Sequence, residues 1–391
     1  MLTAKRVSSP QKTIFAQMTA LAKEYNAINL GQGFPNMPCA SFIKEFAQEG
    51  IHKNLNQYAP SSGLPLLTQA IANLYSPQFS NPIDPAKNIT VTVGATEAIF
   101  ATCQAFVEEG DEVILFEPFY DSYPASIKMA GGTPVYIPLT YENDEWVFDR
   151  DELEKLFNNN TKLIFINTPH NPCGKIFTTE ELSFIAQLCL KYNVLAVCDE
   201  VYEYMIFDNN QHQRMANMEG MAEHTITISS AGKTFGVTGW KIGWIIANDK
   251  WIQAICEARQ WISFSVATPL QYGIAKAIEK AQQNDFFTTM QQEYQQKRDL
   301  LINCLQKSNL QVCKPNATYF IMADHSDYNF SDDVAFCEYL TKEVGVTAIP
   351  PSFFYSASHR HLAKNYVRFC FCKDEETLAN AGKKLEKLHK K

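Results

Sequence analysis

The sequence lacks an apolar run near the roughly 20 residues of a membrane span, and its first stretch, MLTAKRVSSPQK, lacks the apolar core of a secretory signal. It also lacks low-complexity tracts and, despite 11 cysteines, any CxxC pair with metal-site spacing. With a net charge of −8, it has no excess of positive charge for a nucleic-acid surface. We therefore expect a cytoplasmic globular protein without a metal site, a membrane partner or a nucleic-acid partner.

Two nucleotide-binding loops are absent as well. The GKT at residues 232–234 resembles the end of a P-loop, but Thr227 stands where that loop needs glycine. Thr227 also lies in HTITIS, whose alternation predicts a strand. GQGFPN, at residues 31–36, lacks the third glycine of a dinucleotide motif and does not follow a strand. These absences disfavour a nucleotide-phosphate or nicotinamide enzyme, so Lys233 needs another role.

The length and composition allow one large folded domain and a smaller one, since 46% of the 391 residues are hydrophobic and 19% are charged. From about residue 89, short apolar runs alternate with amphipathic helical stretches such as TEELSFIAQLCLKYN. This alternation is typical of an α/β fold in which helices cover a mostly parallel sheet. Seven runs are predicted strands: NITVTV, DEVILF, TPVYIPL, KLIFIN, VLAVCDE, TITIS and KIGWIIA.

The sequences at both chain ends differ from this central region in their pattern of predicted helices and strands. The C-terminal part contains a polar helical stretch, FFTTMQQEYQQKRDLLINCLQ, followed by the strand-like runs TYFIMAD and NYVRFCF. We predict a large domain at residues 41–284 that carries the seven-stranded sheet. A smaller α+β domain is predicted from residues 1–40 and 285–391 together.

Ligands of such open sheets bind at the carboxyl ends of the strands. A small set of polar residues follows the predicted strands: residues 94–96, Tyr120, residues 167–171, Asp199 and residues 230–233. We expect these residues to converge on one site.

Asp199, Tyr202 and Lys233 suggest the chemistry of that site. Asp199 ends an apolar run and would be a costly buried carboxylate without a partner; taken alone, it fits a helix cap equally well. With Lys233 at the end of the next strand, the set matches what pyridoxal 5'-phosphate requires. The amine forms a Schiff base with the aldehyde, the carboxylate keeps the pyridine nitrogen protonated, and the phenol of Tyr202 can bind the ring oxygen.

The same region offers donors for the phosphate of that cofactor. Ser230 lies three residues before Lys233, and Lys241 lies eight residues after it. The VGATEA stretch adds backbone N–H groups at a helix N-terminus, where the helix dipole favours an anion. Each feature alone also fits a cap, a turn or a surface charge, but the combination is specific.

The chain resembles a class I, fold-type I pyridoxal-phosphate-dependent aminotransferase over nearly its whole length. The segments that carry the resemblance are NLGQGFP (29–35), NQYAPSSGLPLL (56–67), VTVGATEA (91–98), EPFYDSYP (117–124), NTPHNPCG (167–174), DEVYE (199–203), SSAGKTFGVTGWKIGW (229–244) and YVRFCF (366–371). Within that class the sequences of these segments are most similar to those of the kynurenine–oxoglutarate transaminase and methionine aminotransferase branch.

The resemblance implies roles for particular residues. Lys233 would be the Schiff-base lysine and the base that moves the substrate proton, with Asp199 and Tyr202 completing the catalytic set. The cofactor would also be held by residues around its ring and phosphate: Tyr120, Asn171, Ala95, Thr96, Ser230, Lys241 and Tyr58. Tyr58 would reach the phosphate from the partner subunit, which implies a homodimer with shared active sites.

Substrate recognition is also implied by the resemblance. Arg368 would hold the substrate carboxylate with help from Asn171, since a planar guanidinium can bind both oxygens. Gly33 would lie where the N-terminal segment folds over the substrate. Relatives selective for kynurenine carry bulky aromatic or histidine residues where this chain has Val266 and Ala267.

We therefore expect an apolar, roomy side-chain pocket, with Trp261, Phe264 and Phe34 nearby, that suits methionine and aromatic amino acids. Kynurenine remains an alternative donor, whereas aspartate is disfavoured because no second arginine matches. A β-lyase acting on cysteine conjugates, or an aminocyclopropane-type synthase, also remains open. A cofactor-sensing regulator is disfavoured, because about 25 residues before NLGQGFP leave no room for a winged helix.

Overall fold

The computed structural model describes residues 4–7 and 13–388. Most of the stretch MLTAKRVSSPQK lies outside these ranges, as do the last three residues of the predicted smaller domain. None of the helices in the described ranges combines the length and the hydropathy needed to cross a bilayer.

The strands and helices are numbered in chain order. The strands are β1 (Ile28–Asn29), β2 (Ile89–Val93), β3 (Glu112–Glu117), β4 (Thr133–Pro138), β5 (Thr140–Glu142), β6 (Glu145–Val147), β7 (Thr161–Asn167), β8 (Leu195–Asp199), β9 (Thr225–Ser230), β10 (Ile242–Ala247), β11 (Gln311–Cys313), β12 (Phe320–Asp324), β13 (Val346–Thr347) and β14 (Tyr366–Cys370). The α-helices are α1 (Ile14–Glu24), α2 (Ser41–His52), α3 (Pro65–Tyr75), α4 (Gly94–Phe106), α5 (Ser122–Ala130), α6 (Arg150–Leu156), α7 (Thr179–Tyr192), α8 (Ala231–Thr234), α9 (Asp249–Arg259), α10 (Thr268–Gln282), α11 (Phe286–Lys307), α12 (Asp333–Tyr339) and α13 (Glu375–Leu385).

A seven-stranded sheet forms the centre of the molecule, in the order β2-β10-β9-β8-β7-β3-β4. Strand β10 runs antiparallel to both β2 and β9, and the remaining neighbours are parallel. These strands are the seven that the apolar runs predict, so the α/β fold with a mostly parallel seven-stranded sheet is confirmed.

Both faces of the sheet are covered, which explains why apolar residues stand at successive positions in strands such as β3 and β8. On β8, Val197 packs in a cluster with residues of α4, α5 and α9. Its neighbours Ala196 and Cys198 face the opposite side and pack with α7, through residues such as Ile185. Side chains alternate across a strand, so helices on each face cover alternate residues.

A second, smaller sheet has the antiparallel order β11-β12-β14. Leu301 of α11 and Leu378 of α13 pack against it in one apolar cluster with Ile321 and Phe369. The N-terminal segment joins this region, since β1 pairs in parallel with β13. Both chain ends therefore contribute to the second packing unit, while the boundaries at residues 40 and 284 stay predictions.

Candidate active site

A cavity of about 360 Å³ lies where the carboxyl ends of the central strands meet the smaller sheet. Strand β10 is antiparallel, so its amino end, which follows Lys241, reaches the same edge. Of the residues to which the sequence assigns a catalytic, cofactor-binding or carboxylate-binding role, all but Tyr58 line this cavity: Gly33, Ala95, Thr96, Tyr120, Asn171, Asp199, Tyr202, Ser230, Lys233, Lys241 and Arg368.

Lys233 lies on α8, a single turn between β9 and β10. The turn starts at Ser230, whose Oγ accepts a hydrogen bond of 3.1 Å from the backbone N–H of Gly232. The Nζ of Lys233 donates to the hydroxyl of Tyr319 at 2.8 Å. Burial lowers the pKa of Lys233, and the acidic groups around it oppose this only in part. At a given pH, a larger fraction of this amine is therefore neutral and nucleophilic than of an exposed lysine.

Asp199 ends β8 and is 4% exposed. Its carboxylate accepts hydrogen bonds from the hydroxyl of Tyr123 at 2.7 Å and from the backbone N–H of Val201 at 3.4 Å. Burial raises the pKa of Asp199 to about 6, while these hydrogen bonds and Lys233 pull it down. The partner of this buried carboxylate within the chain is thus a phenol rather than a bonded cation, which leaves the carboxylate poised for a cationic ligand.

A set of donors suited to an anion lies beside these residues. Helix α4 begins at Gly94, directly after β2, so the N–H groups of its first turn point out of the helix at the cavity edge. Gly94 has a φ of +69°, in the left-handed region that favours glycine. The Nζ of Lys241 donates to the Oγ1 of Thr96 at 3.2 Å, and the hydroxyl of Ser230 lines the same wall.

Arg368 enters from the smaller sheet, where its register on β14 is opposite Met322 of β12. It is 2% exposed, yet its Nε has no hydrogen-bond partner. Its other nitrogens donate to the Oδ1 of Asn171 at 3.3 Å and to the carbonyl of Gly31 at 2.8 Å. Asp121 acts on it electrostatically without a hydrogen bond.

Aromatic rings complete the surroundings of this guanidinium. Its central carbon lies 4.2 Å from the ring centroid of Phe320, 5.1 Å from that of Phe354 and 5.2 Å from that of Phe15. A buried cation held by rings and neutral oxygens is costly without an anion. The geometry therefore suits a carboxylate ligand.

The position of Asn171 follows from a short chain of hydrogen bonds at the strand ends. Asn167 donates from its Nδ2 to the carbonyl of Asp199 at 2.9 Å, and its Oδ1 accepts from the backbone N–H of Asn171 at 2.7 Å. This arrangement ties the loop after β7 to the end of β8. The side chain of Asn171 is thereby held between the wall of the cavity and Arg368.

Gly33 lies on the N-terminal segment that borders the cavity. Its carbonyl accepts a hydrogen bond of 2.5 Å from the hydroxyl of Tyr319. A Cβ added at this position would come within 2.8 Å of Phe320 and 3.2 Å of Tyr319. The close approach of this backbone to two aromatic rings therefore requires glycine.

Tyr58 lies away from the cavity and is 81% exposed. Its ring contacts that of Phe264 edge-to-face, with 5.2 Å between centroids. Trp261 and Phe34 are exposed too, whereas Val266 is buried in the apolar cluster of α2, α3 and α10. Within one chain, these residues do not form the side-chain pocket that the sequence predicts.

Two residues around the site were missed by sequence reasoning. Tyr123, the partner of Asp199, stands in the quoted segment EPFYDSYP, where its spacing from Tyr120 could have drawn attention. Tyr319 lies within the strand-like run TYFIMAD, and no motif marks it. Tyr319 is 86 positions from Lys233 in the sequence, so their hydrogen bond can be found only in the folded chain.

A group of potential metal ligands lies behind the site. Within the described residues, Glu200, Glu203 and His212 are the one set of three such side chains that lie together. The guanidinium of Arg214 pairs with both carboxylates, at 2.5 Å to Glu203. Because an internal cation already satisfies these acids, the arrangement is that of an ion-pair network.

The comparisons with known proteins agree with this geometry. A family model for aminotransferases of class I and II matches residues 25–385. A kynurenine–oxoglutarate transaminase from Dictyostelium discoideum is 42% identical, over 99% of this chain and 96% of that protein.

Solved structures of similar proteins cover the chain equally well. The N-succinyldiaminopimelate aminotransferase from Mycobacterium tuberculosis superposes with a TM-score of 0.95 at 38% identity, over 99% of this chain and 100% of that one. An Escherichia coli protein described as having a methionine aminotransferase function superposes with a TM-score of 0.94 at 35% identity, over 99% and 100%.

Proposed function

Since the chain belongs to the aminotransferases of class I and II, we propose that it transfers the amino group of methionine or an aromatic amino acid to a 2-oxo acid, with pyridoxal 5'-phosphate as cofactor. One observation carries this proposal. A buried arginine with an unpartnered Nε and the amine of Lys233, whose pKa is lowered by desolvation, line the same cavity of about 360 Å³. An amino acid needs both groups, one for its carboxylate and one for the proton on its α-carbon.

The residues present fit the cofactor. Lys241, Thr96, Ser230 and the first turn of α4 would hold its phosphate, because together they offer a cation, hydroxyls and free N–H groups to an anion. When bound, pyridoxal phosphate supplies an electron sink that makes the α-proton of an amino acid acidic.

The ring of the cofactor has its own set of candidate partners. Asp199, with its pKa raised only to about 6, would pair with the pyridine nitrogen as a carboxylate at neutral pH. Tyr202 and Asn171 would bind the ring oxygen, and Tyr120 would cover one face of the ring. The phenol of Tyr123 holds the Asp199 carboxylate in place for this contact.

Lys233 would move the proton. Its Nζ, whose pKa is lowered by burial, would accept the proton from the α-carbon of the amino acid and return it to a different atom. A base with a lowered pKa suits this task, because at a given pH a larger fraction of it is unprotonated than of an exposed lysine.

Arg368 would orient the substrate for this transfer. Its free Nε and the neighbouring nitrogen can bind both oxygens of a carboxylate, which fixes the position of the α-carbon. Phe15 and Phe320 line the cavity beside it and exclude water from this ion pair.

The choice of amino donor follows from the lining of the cavity. The apolar residues around the guanidinium favour methionine and aromatic amino acids. The similarity to the Escherichia coli protein is consistent with this choice. Kynurenine, with oxoglutarate as acceptor, fits the relative from Dictyostelium discoideum equally well, and β-elimination from cysteine conjugates remains the alternative reaction.

We also propose a homodimer in the cytoplasm. Tyr58 is too exposed to serve its own cavity, and an aromatic side chain in this position is suited to reach the phosphate site of a partner subunit. All 11 cysteines are free thiols, which is consistent with a reducing compartment.

An absorption spectrum of the purified, cofactor-loaded protein tests the proposal. Addition of L-methionine without any oxo acid is expected to abolish the visible band of the lysine-bound cofactor, because the amino group passes to the cofactor in the first half of the reaction. Phenylalanine and kynurenine in parallel rank the donors, and aspartate serves as the negative control. A band that methionine leaves unchanged contradicts the donor choice, and the lack of a band after cofactor is supplied contradicts the role of Lys233.

A further inference from the structure

The hydroxyl of Tyr319 connects the amine of Lys233 with the backbone of the N-terminal segment. We propose that Tyr319 is a positioning residue: its hydroxyl commits its single proton to the carbonyl of Gly33, and therefore offers only a lone pair to the Nζ of Lys233. The inference rests on the proposed function of Lys233 as the proton-moving base, and it adds a residue through which that base is oriented.

The geometry of the contact is well defined. Tyr319 precedes β12, is 1% exposed and has its hydroxyl 2.5 Å from the carbonyl oxygen of Gly33. The Nζ of Lys233 lies 2.8 Å from the same hydroxyl. A carbonyl oxygen can only accept, so the phenolic proton must point at Gly33. Lys233 is then the donor in the second contact.

This direction of hydrogen bonding matters for a base. A neutral amine has two N–H groups and one lone pair, and only the lone pair can accept a proton from carbon. Because Tyr319 receives an N–H, the lone pair of Lys233 stays available on the side of the cavity. A phenol with an uncommitted proton would instead donate to that lone pair and block it.

The free lone pair of Lys233 therefore depends on the carbonyl of Gly33, which accepts the phenolic proton of Tyr319. Gly33 belongs to the segment that borders the cavity, and a Cβ there would come within 3.2 Å of Tyr319 and 2.8 Å of Phe320. Alanine would thus push the carbonyl away from the phenol. The position of this segment and the availability of the Lys233 lone pair are coupled through one hydroxyl group.

Other charged or titratable groups also act on the amine, and their effects have known signs. Burial lowers the pKa of Lys233, Arg368 lowers it further, and Cys372, Cys370 and Asp199 raise it. Tyr202 meets Tyr319 edge-to-face, with 5.1 Å between ring centroids. An acceptor oxygen stabilises the ammonium form more than the neutral amine, so loss of the Tyr319 hydroxyl is expected to lower the pKa of Lys233.

The first experiment needs no substrate and no cofactor. The cofactor-free, full-length protein is labelled with acetic anhydride across a pH series, and the extent of acetylation at Lys233 is read by peptide mass spectrometry. In Tyr319→Phe, the midpoint at Lys233 is expected to fall by about 0.5 to 1 pH unit. Gly33→Ala is expected to shift it in the same direction, because the freed phenolic proton then turns to the amine.

Tyr294→Phe is the matched control. Tyr294 is buried, and its ring lies 6.2 Å from that of Tyr319 without contacting the amine through a hydrogen bond. Its variant removes a hydroxyl of the same kind and should leave the Lys233 midpoint unchanged. An unchanged midpoint in Tyr319→Phe, or an equal shift in Tyr294→Phe, would overturn the proposal. Gly33→Ala gives the same test if Tyr319→Phe does not fold.

The second experiment uses the cofactor-loaded enzyme in a single half-reaction. Tyr319→Phe is expected to slow the loss of the visible band on addition of methionine by about 10- to 100-fold. The half-saturating methionine concentration and the Kd of the cofactor should change by less than about 3-fold. A slow variant that has also lost cofactor affinity would show a structural role and overturn the assignment. If methionine proves not to be a donor, the labelling experiment still decides the role of Tyr319.

Discussion

Two buried arginines, one in the scaffold and one in the candidate active site, differ in the partners of their guanidinium groups. Arg214 is 4% exposed, and its guanidinium pairs with the carboxylates of Glu200 and Glu203 behind the central sheet. Arg368 is 2% exposed, and its guanidinium has only neutral oxygens, aromatic rings and an unpartnered Nε. The first cation is satisfied by the fold, whereas the second is satisfied only when an anionic ligand arrives.

The same contrast separates Lys233 from the ion pairs of the surface. Its amine meets a phenol, and no carboxylate hydrogen-bonds it within the part of the chain that the structure describes. Leaving a charge or a nucleophile without an internal counter-charge lowers stability, and it keeps that group free for a ligand. The comparison therefore predicts which substitutions affect activity and which affect stability.

The largest effect is expected at Lys233. Lys233→Ala should lower transamination by about 10⁴-fold or more, because one amine both binds the cofactor and moves the proton. The free energy of unfolding of the cofactor-free protein should change by less than about 1 kcal/mol, since no ion pair is broken. Single-turnover kinetics and urea denaturation measure the two quantities. Substantial residual transamination would refute the role assigned to this lysine.

The matched pair Arg214→Met and Arg368→Met tests the comparison directly. Arg214→Met removes the cation that pairs with two buried carboxylates and should lower the free energy of unfolding by about 3–5 kcal/mol, with kcat/KM of the folded fraction largely kept. Arg368→Met should leave stability unchanged or raise it, while kcat/KM falls by about 100- to 1,000-fold. If both variants lose stability equally, the distinction between satisfied and unsatisfied arginines fails.

The smallest effect concerns the pH dependence of stability through Asp199. Its pKa is raised to about 6 in the folded chain, so the folded state holds a proton that the unfolded state has lost. Its contribution to stability is therefore present at pH 4 and is lost as the pH rises through 6. Relative to Asp199→Asn, the cofactor-free wild type should lose about 1–3 kcal/mol between pH 4 and pH 7. Urea denaturation at each pH measures this slope, and a flat difference would contradict the shift.

Much of the fold could be read from local patterns. All seven central strands follow from short runs rich in apolar residues, some continuous and some, such as TITIS, alternating with threonine. Lys233, Asp199 and Arg368 could be singled out because motifs surround them and because charged residues at strand ends are rarely buried without a reason. The roles of these residues remain proposals, as do the domain boundaries and the function of Tyr58.

Other features escaped sequence reasoning for a physical reason. Within the chain, the side chain that hydrogen-bonds Asp199 is the phenol of Tyr123, which sequence reasoning did not single out. Trp261, Phe264 and Phe34 were expected near the substrate, yet they are exposed on a single chain. These contacts join residues from separate elements, and local periodicity contains no information about such pairs.

The sequence by itself determined the periodicity, the turn chemistry and the types of residue available, and hence the sheet, its covering helices and the catalytic candidates. Only the tertiary structure decided that, among the described residues, no carboxylate hydrogen-bonds Arg368 while two pair with Arg214, and that the hydroxyl of Tyr319 donates to the carbonyl of Gly33. Hydrogen bonds and ion pairs depend on distances of about 3 Å between atoms. Such distances between remote residues exist only once the two sheets have packed together.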